Sequence, residues 1–213
     1  MPARPRRTAL RPRKTPRQQR SQAMVELILQ AATRVLQRES LAGFNTNRVA
    51  AVAGISVGSL YQYFPNKDAL MAALVDRAQN GLVEAVEARI AQLASASLPQ
   101  ALRALAELAV AQQYADPLLA AALDHEEKRL PLHDRLMQAR QRIVAAVEQL
   151  LARHRRHLAP DLPSSAARDC LVLTQALAEA DAGRTRAPTA DLADRIVRAL
   201  YGYLTVRLPR QSE

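Results

Sequence analysis

The chain has no tryptophan, two phenylalanines and five tyrosines, so aromatics make up only 3% of it. Glycine is scarce at six residues, while alanine and leucine abound. That composition suits helices packed closely through small side chains rather than sheets. A single cysteine, Cys170, excludes an intramolecular disulfide and fits a reducing cytoplasm, the expected location. No apolar run approaches the ~20 residues of a bilayer-spanning helix, so no membrane partner is expected.

Chemistry is also thinly represented. There is no glycine-rich phosphate loop. His125-Glu126-Glu127 opens like a metalloprotease HExxH helix, but Arg129 stands where the second histidine is needed. His154 and His157 flank Arg155 and Arg156 and read as a solvated basic helix end rather than a metal clasp. Cys170 lies among aliphatic residues with no base beside it, which suits a small core residue better than a nucleophile. Neither enzyme activity, a cofactor nor a metal is expected.

What is present is charge, unevenly placed. The net charge is +10, and residues 1–20 hold eight basic side chains and no acid. The other 193 residues carry 22 basic and 20 acidic side chains and are nearly neutral. Pro2, Pro5, Pro12 and Pro16 interrupt the basic stretch, so it reads as an unstructured arm. Such an arm can track DNA phosphates and the minor groove, or can be a solvated tail that aids solubility. As a targeting peptide it would lack an amphipathic helix and an apolar core.

Apolar spacing predicts helices throughout. The first runs from Ser21, as cap, to about Glu39, with Val25, Ile28, Leu29, Ala32, Val35 and Leu36 on one face. Thr46 can cap a short second helix through Ala53, in which Val49, Ala50 and Ala53 recur at helical spacing and Ala50 and Ala53 are small enough for another helix to cross closely. Gly54 ends it as a residue that tolerates a left-handed backbone. Ser56 can cap a third helix of about two turns, roughly 12 Å long, with Leu60 and Phe64 packed beside Ile55. Two short helices joined by a glycine turn, over about residues 45–64, form a helix-turn-helix whose second helix can enter a major groove.

The outward side of that helix carries Val57, Gly58, Ser59, Tyr61, Gln62 and Tyr63, none charged. Gly58 and Ser59 let the backbone approach closely, Gln62 can donate to and accept from a base edge, and the tyrosines reach phosphate oxygens. The alternative is that Tyr61 and Tyr63, the latter beside Phe64, are simply partly buried aromatics. Pro65 stops the helix and Asn66 can cap the next, placing free N–H groups and Lys67 where a phosphate could sit. The candidate DNA contacts are therefore Thr46, Arg48, Ser56, Val57, Gly58, Ser59, Tyr61, Gln62, Tyr63 and Lys67.

The run Thr46, Ala53-Gly54-Ile55-Ser56, Gly58, Leu60-Tyr61, Tyr63-Phe64, Lys67 and Leu70 resembles the DNA-binding domain of the tetracycline-repressor (TetR) family over about residues 21–80. The resemblance implies a homodimeric bacterial regulator, usually a repressor, in which Thr46, Ser59, Tyr61, Tyr63 and Lys67 hold positions that commonly meet DNA. Ala51 and Val52 depart from it, replacing polar residues common on the outer side of the first motif helix.

A long helix is expected from Lys67 to about Leu93, with Leu70, Leu74, Ala78, Leu82, Val86, Ile90 and Leu93 as its stripe. Further helices read as 99–114, 117–129, 132–156, 164–181 and 189–207. The chain is thus all-α, with an N-terminal three-helix helix-turn-helix domain (21–66) behind the arm (1–20) and a larger C-terminal helical ligand-binding and dimerisation domain (67–213). The last two helices are apolar over more than one stripe. Leu173, Leu177, Ile196, Leu200, Tyr203 and Leu204 are the candidates for a four-helix dimer interface, the alternative being burial in a single-chain core.

Gln112, Glu126 and Arg140, with Thr174 more weakly, are polar residues on apolar stripes and are candidates to line an effector cavity. An inward Arg140 needs a carboxylate from Glu126 or from a ligand; a different helix rotation would put these residues at the surface. The expected function is sequence-specific DNA binding to a palindromic operator, released by a small-molecule effector that shifts the long helix. The alternative is a helical protein that binds nucleic acid non-specifically through its basic arm.

Overall fold

The computed structural model describes residues 19–185 and 187–207. The expected arm lies almost wholly outside the described residues. Within them are nine α-helices and no strand: α1 (Gln19–Gly43), α2 (Thr46–Ala53), α3 (Val57–Tyr63), α4 (Lys67–Gln92), α5 (Leu98–Tyr114), α6 (Pro117–Arg129), α7 (His133–Arg153), α8 (Ala166–Ala182) and α9 (Leu192–Thr205), with a 3₁₀ turn at Arg155–His157. No described helix is long and apolar enough to cross a membrane. The chain forms two compact units, one of residues up to Gln79 with Asp116–Leu136, the other of Asn80–Ala115 with Met137 onward.

The first unit is built around α1. Ile28, Ala32, Val35 and Leu36 of α1, Val49 of α2, Leu60 of α3, Phe64, and Leu70, Met71 and Val75 of α4 are all at most 1% exposed and form one core. α6 packs against α1 and closes this core with Ala122, Leu123 and Leu130. The helical backbone of α1 is kinked at Ser40 (φ 54°, ψ −171°), directly after the expected end at Glu39. Arg129 of α6 donates Nε to Glu126 Oε2 (2.8 Å) and Nη2 to Asp68 Oδ1 (2.5 Å) in the first turn of α4. Arg135–Asp76 and Gln79–Glu127 are further polar links to α4.

The stripe expected along α4 is interrupted. Ala78 is exposed, whereas Met71, Val75 and Val83 are fully buried. The reason is that residues 70–75 serve the first core and Val83, Val86 and Ile90 the second, so no single face runs the whole length.

The second unit packs α5, α8 and α9 against one another, with α7 supplying Ala139, Ile143, Ala146, Val147 and Leu150. Ile196, Leu200 and Leu204 of α9 are 0–4% exposed inside this core. As dimer-interface candidates these three are corrected: α9 has one strongly apolar stripe, and the protomer's own core takes it. Asp181 at the end of α8 is wholly buried. It accepts from Thr189 Oγ1 (2.7 Å), Thr189 N (3.1 Å) and Tyr114 Oη (2.8 Å), with Arg195 at 3.3 Å. Thr189's hydroxyl above all holds this carboxyl well below the usual carboxylate range.

Because its folded pKa is depressed, Asp181 stabilises the fold above the unfolded value of about 3.9, and that contribution fades as pH falls below it. Asp181→Asn is expected to lower the melting temperature at pH 7 by about 5 °C. In melts recorded from pH 7 to pH 2, the gap from the unmodified chain should narrow only below about pH 4.

Candidate nucleic-acid interface

Each joint of the 45–67 segment has a local cause. Asn45, not Thr46, caps α2, its Oδ1 accepting from Arg48 N at 2.9 Å. Thr46 is the first helical residue, and its hydroxyl lies 3.1 Å from Tyr61 Oη, joining the start of α2 to the outer side of α3. Both residues have cap chemistry, and the one-residue difference frees Thr46 for Tyr61. Gly54 adopts φ 67°, ψ 32°, and its N–H closes onto Ala50 O and Ala51 O. Ser56 caps α3 through Ser59 N (3.0 Å), and its hydroxyl also meets Ser59 Oγ (2.9 Å). Asn66 Oδ1 accepts from Ala69 N (2.7 Å) at the start of α4.

Those joints set which side chains face out. Leu60 and Phe64 are fully buried, while Gly58, Tyr61 and Gln62 are exposed. Val57 and Tyr63 are half-buried and pack against the first core, so Tyr63 presents only part of its ring. Ser59 is also half-buried. A Cβ at Gly58 would meet nothing closer than Ser56 Oγ at 3.8 Å. Nothing inside the protein therefore requires glycine there, although glycine weakens a helix.

Arg48 and Lys67 are the only cations between residues 40 and 67, and both are exposed. Lys67 Nζ stands 5.4 Å from the centre of the Phe44 ring, a cation–π distance. Arg48 Nε donates to Glu39 Oε1 at 2.6 Å. The sequence offered no signal for this ion pair, nor for the one between Asp68 and Arg129, since each joins different helices.

The four candidate effector residues are divided between the two units. Glu126 lies in the first unit, buried and paired with Arg129. Gln112, Arg140 and Thr174 belong to the second. Gln112 and Arg140 are exposed, and Thr174 donates to Cys170 O within α8 (2.8 Å). The expected inward Arg140 is corrected: the buried side of α7 is Ala139, Ile143, Ala146, Val147 and Leu150, which turns Arg140 and Met137 outward. An open groove on the second unit is lined instead by Pro99, Arg103, Asp194, Val197, Arg198 and Tyr201, with an Arg103–Asp194 ion pair of 2.6 Å.

Of the remaining interface candidates, Leu173, Leu177 and Tyr203 are half-buried against the second core, and Tyr203 Oη donates to Asp169 Oδ2 at 2.6 Å. The outward apolar side chains of α8 and α9 are Val172 (48% exposed) and Tyr201 (43%). Cys170 is buried, and burial pushes its thiol up to about 12. Among the described residues no cluster of metal-ligating side chains occurs.

A capped helix, a left-handed glycine turn and a second capped helix seated on a three-helix core define a helix-turn-helix protein. Family comparison is specific: residues 28–74 match the bacterial regulatory proteins of the tetR family, and residues 97–204 match the tetracyclin repressor-like C-terminal domain. The chain belongs to the TetR family of transcriptional regulators.

Solved structures agree on the fold. A protein of Mesorhizobium loti MAFF303099 described as a TetR-family regulator superposes with a TM-score of 0.73 at 21% identity, covering 89% of this chain and 100% of that one. FadR of Bacillus subtilis, in complex with stearoyl-CoA, gives 0.68 at 16% identity, covering 84% and 98%. The multidrug binding protein EbrR, complexed with imidazole, gives 0.64 at 23% identity, covering 88% and 98%. No curated protein sequence matches significantly.

Two substitutions test the local energetics. Ser56→Ala removes a used cap and is expected to cost about 1 kcal/mol. Gly58→Ala should instead stabilise the chain by about 0.4–1 kcal/mol, since its backbone is helical and the site is open. Urea midpoints of the two variants check both signs.

Proposed function

We propose that the chain is a homodimeric repressor that reads a palindromic operator through α3 and is released by a small-molecule effector bound in its C-terminal helical domain. The observation that carries this reading is the exposed, uncharged side of α3. Gly58, Tyr61 and Gln62 point to solvent over a fully buried Leu60–Phe64 anchor. A surface built for phosphate alone would carry arginine and lysine; this one offers a close backbone approach and an amide able to pair with a base edge. Thr46, Arg48, Ser59, Tyr61 and Lys67 border it as phosphate contacts, with Ser56 fixing the helix start and Val57 and Tyr63 supporting its flank.

Dimerisation through the outer sides of α8 and α9 is supported by their exposed Val172 and Tyr201, beside the half-buried Leu173, Leu177 and Tyr203. Two copies would present α3 twice, one DNA turn apart. The fold by itself does not select the effector, since one neighbour holds stearoyl-CoA and another imidazole. Thr174 remains the part-buried polar candidate of the second unit, while Gln112 and Arg140 lie at its surface. The cytoplasm, with DNA as partner, is the proposed location.

Enrichment of duplexes from random DNA by the purified chain tests the reading. The expected product is a palindrome bound about 10³-fold or more tightly than a scrambled duplex. Equal affinity for both would instead favour non-specific attachment through the basic arm. On the enriched duplex, Arg48→Ala and Lys67→Ala should each lower the salt slope by about 0.9. Gln62→Ala should cost about 1–3 kcal/mol of discrimination at one base pair. Gly58→Ala should weaken binding despite its more stable fold.

A further inference from the structure

Glu39 stands directly before Ser40, whose φ of 54° is the only positive value at a non-glycine among the described residues. Strain of that kind persists only where its surroundings over-determine it. The surroundings here include Gly43: a Cβ at that position would come within 2.6 Å of Glu39 Cβ and 3.0 Å of Glu39 Oε2. Glycine at 43 thus leaves the space in which the Glu39 side chain lies. From there its other oxygen, Oε1, accepts from Arg48 Nε at 2.6 Å. The Arg48 side chain remains 53% exposed.

The pairing matters because of what is missing around it. Residues 40–67 contain no acid and two cations, Arg48 and Lys67. Asp68, the next carboxylate, is engaged by Arg129. A bent helix end and an obligatory glycine therefore bring one carboxylate onto one of the two positive charges of the motif.

We infer that Glu39 is an internal competitor for DNA: it occupies the Arg48 guanidinium in the free chain, and a DNA phosphate replaces it on binding. This rests on the proposed reading of Thr46–Lys67 as a DNA interface. Carboxylate and phosphate both match the guanidinium fork, so the exchange needs no new geometry at arginine. Its consequence is restraint. Sequence-independent attachment depends on free cations, and in the unbound motif Arg48 is already paired with a carboxylate.

The test titrates the full-length chain, Glu39→Gln, Arg48→Ala and the double variant on the enriched duplex and on a scrambled one. Glutamine keeps the shape of Glu39 and removes its charge. Glu39→Gln is expected to bind both duplexes about two- to fivefold more tightly, the range set by an exposed ion pair. In the Arg48→Ala background the same substitution should change affinity by less than about 1.5-fold, because the two act as one unit. Glu39→Asp, which keeps the charge but shortens its reach, should tighten binding by a smaller factor. The inference is overturned if Glu39→Gln leaves affinity unchanged or weakens it. Equal tightening with and without Arg48 also overturns it, since that outcome marks a diffuse charge effect. A chain that enriches no duplex removes the DNA reading itself and this inference with it. Binding that survives but ignores Arg48→Ala defeats only the inference.

Discussion

A helix of seven residues cannot hold itself together in water, because the turn that nucleates it fixes more backbone than its hydrogen bonds repay. α3 has that length, so its existence rests on what lies under it. Leu60 and Phe64 are wholly buried in the first core, and the two ends are fastened by the Ser56 cap and by the Phe64 N–H on Leu60 O. With its inner side fixed by packing and its ends by hydrogen bonds, the outer side carries little structural duty beyond the contact of Tyr61 with Thr46. A glycine can then sit inside a helix, and an exposed tyrosine and glutamine can be placed for a partner instead of for the fold.

The support is not contiguous in sequence. The first core draws on residues up to Gln79 and then again on Asp116–Leu136, after an intervening stretch that belongs to the other unit. The returning segment does more than fill space with Ala122 and Leu123. Its Arg129 divides its donors between Glu126 and Asp68, and those two hydrogen bonds, Asp68's first, hold the guanidinium firmly charged. A carboxylate as buried as Glu126 is tolerable only with such a partner. The same arginine thereby restrains the first turn of α4, one residue from Lys67. Any equilibrium that repositions α6 relative to α1 has to reckon with a link to the edge of the proposed DNA surface.

Much of the motif was legible because its signals are local. Gly54 needs no partner to favour a left-handed backbone, and Ser56 and Asn66 cap the helices that follow them. Leu60 and Phe64 declare their common side by spacing alone. Where two neighbours had the same chemistry, as with Asn45 and Thr46, sequence could not choose between them. Elsewhere alanine blurred the pattern. On α7 the inner side is carried partly by Ala139 and Ala146, while the larger Met137 faces out, so bulky side chains alone do not mark which side Arg140 takes. On α9 the period was right but the partner was not, because periodicity reveals that a face is covered and not by what.

Contacts between helices were beyond reach for a different reason: a charged residue on an exposed-looking position advertises no partner. Glu39 and Arg48 are nine residues apart, Asp68 and Arg129 sixty-one, and neither spacing is one that a helix brings together. Under the proposed function these pairings separate two roles that charge would otherwise confuse. Positive charge is concentrated in the first 20 residues, where it can attract any polyanion, while the motif keeps two cations, one already facing a carboxylate. In that reading, general attraction falls mainly to the arm, the motif keeps little positive charge, and the fit of α3 to a base sequence would decide the bound state. A reader covered in free arginine would bind everywhere first and discriminate second.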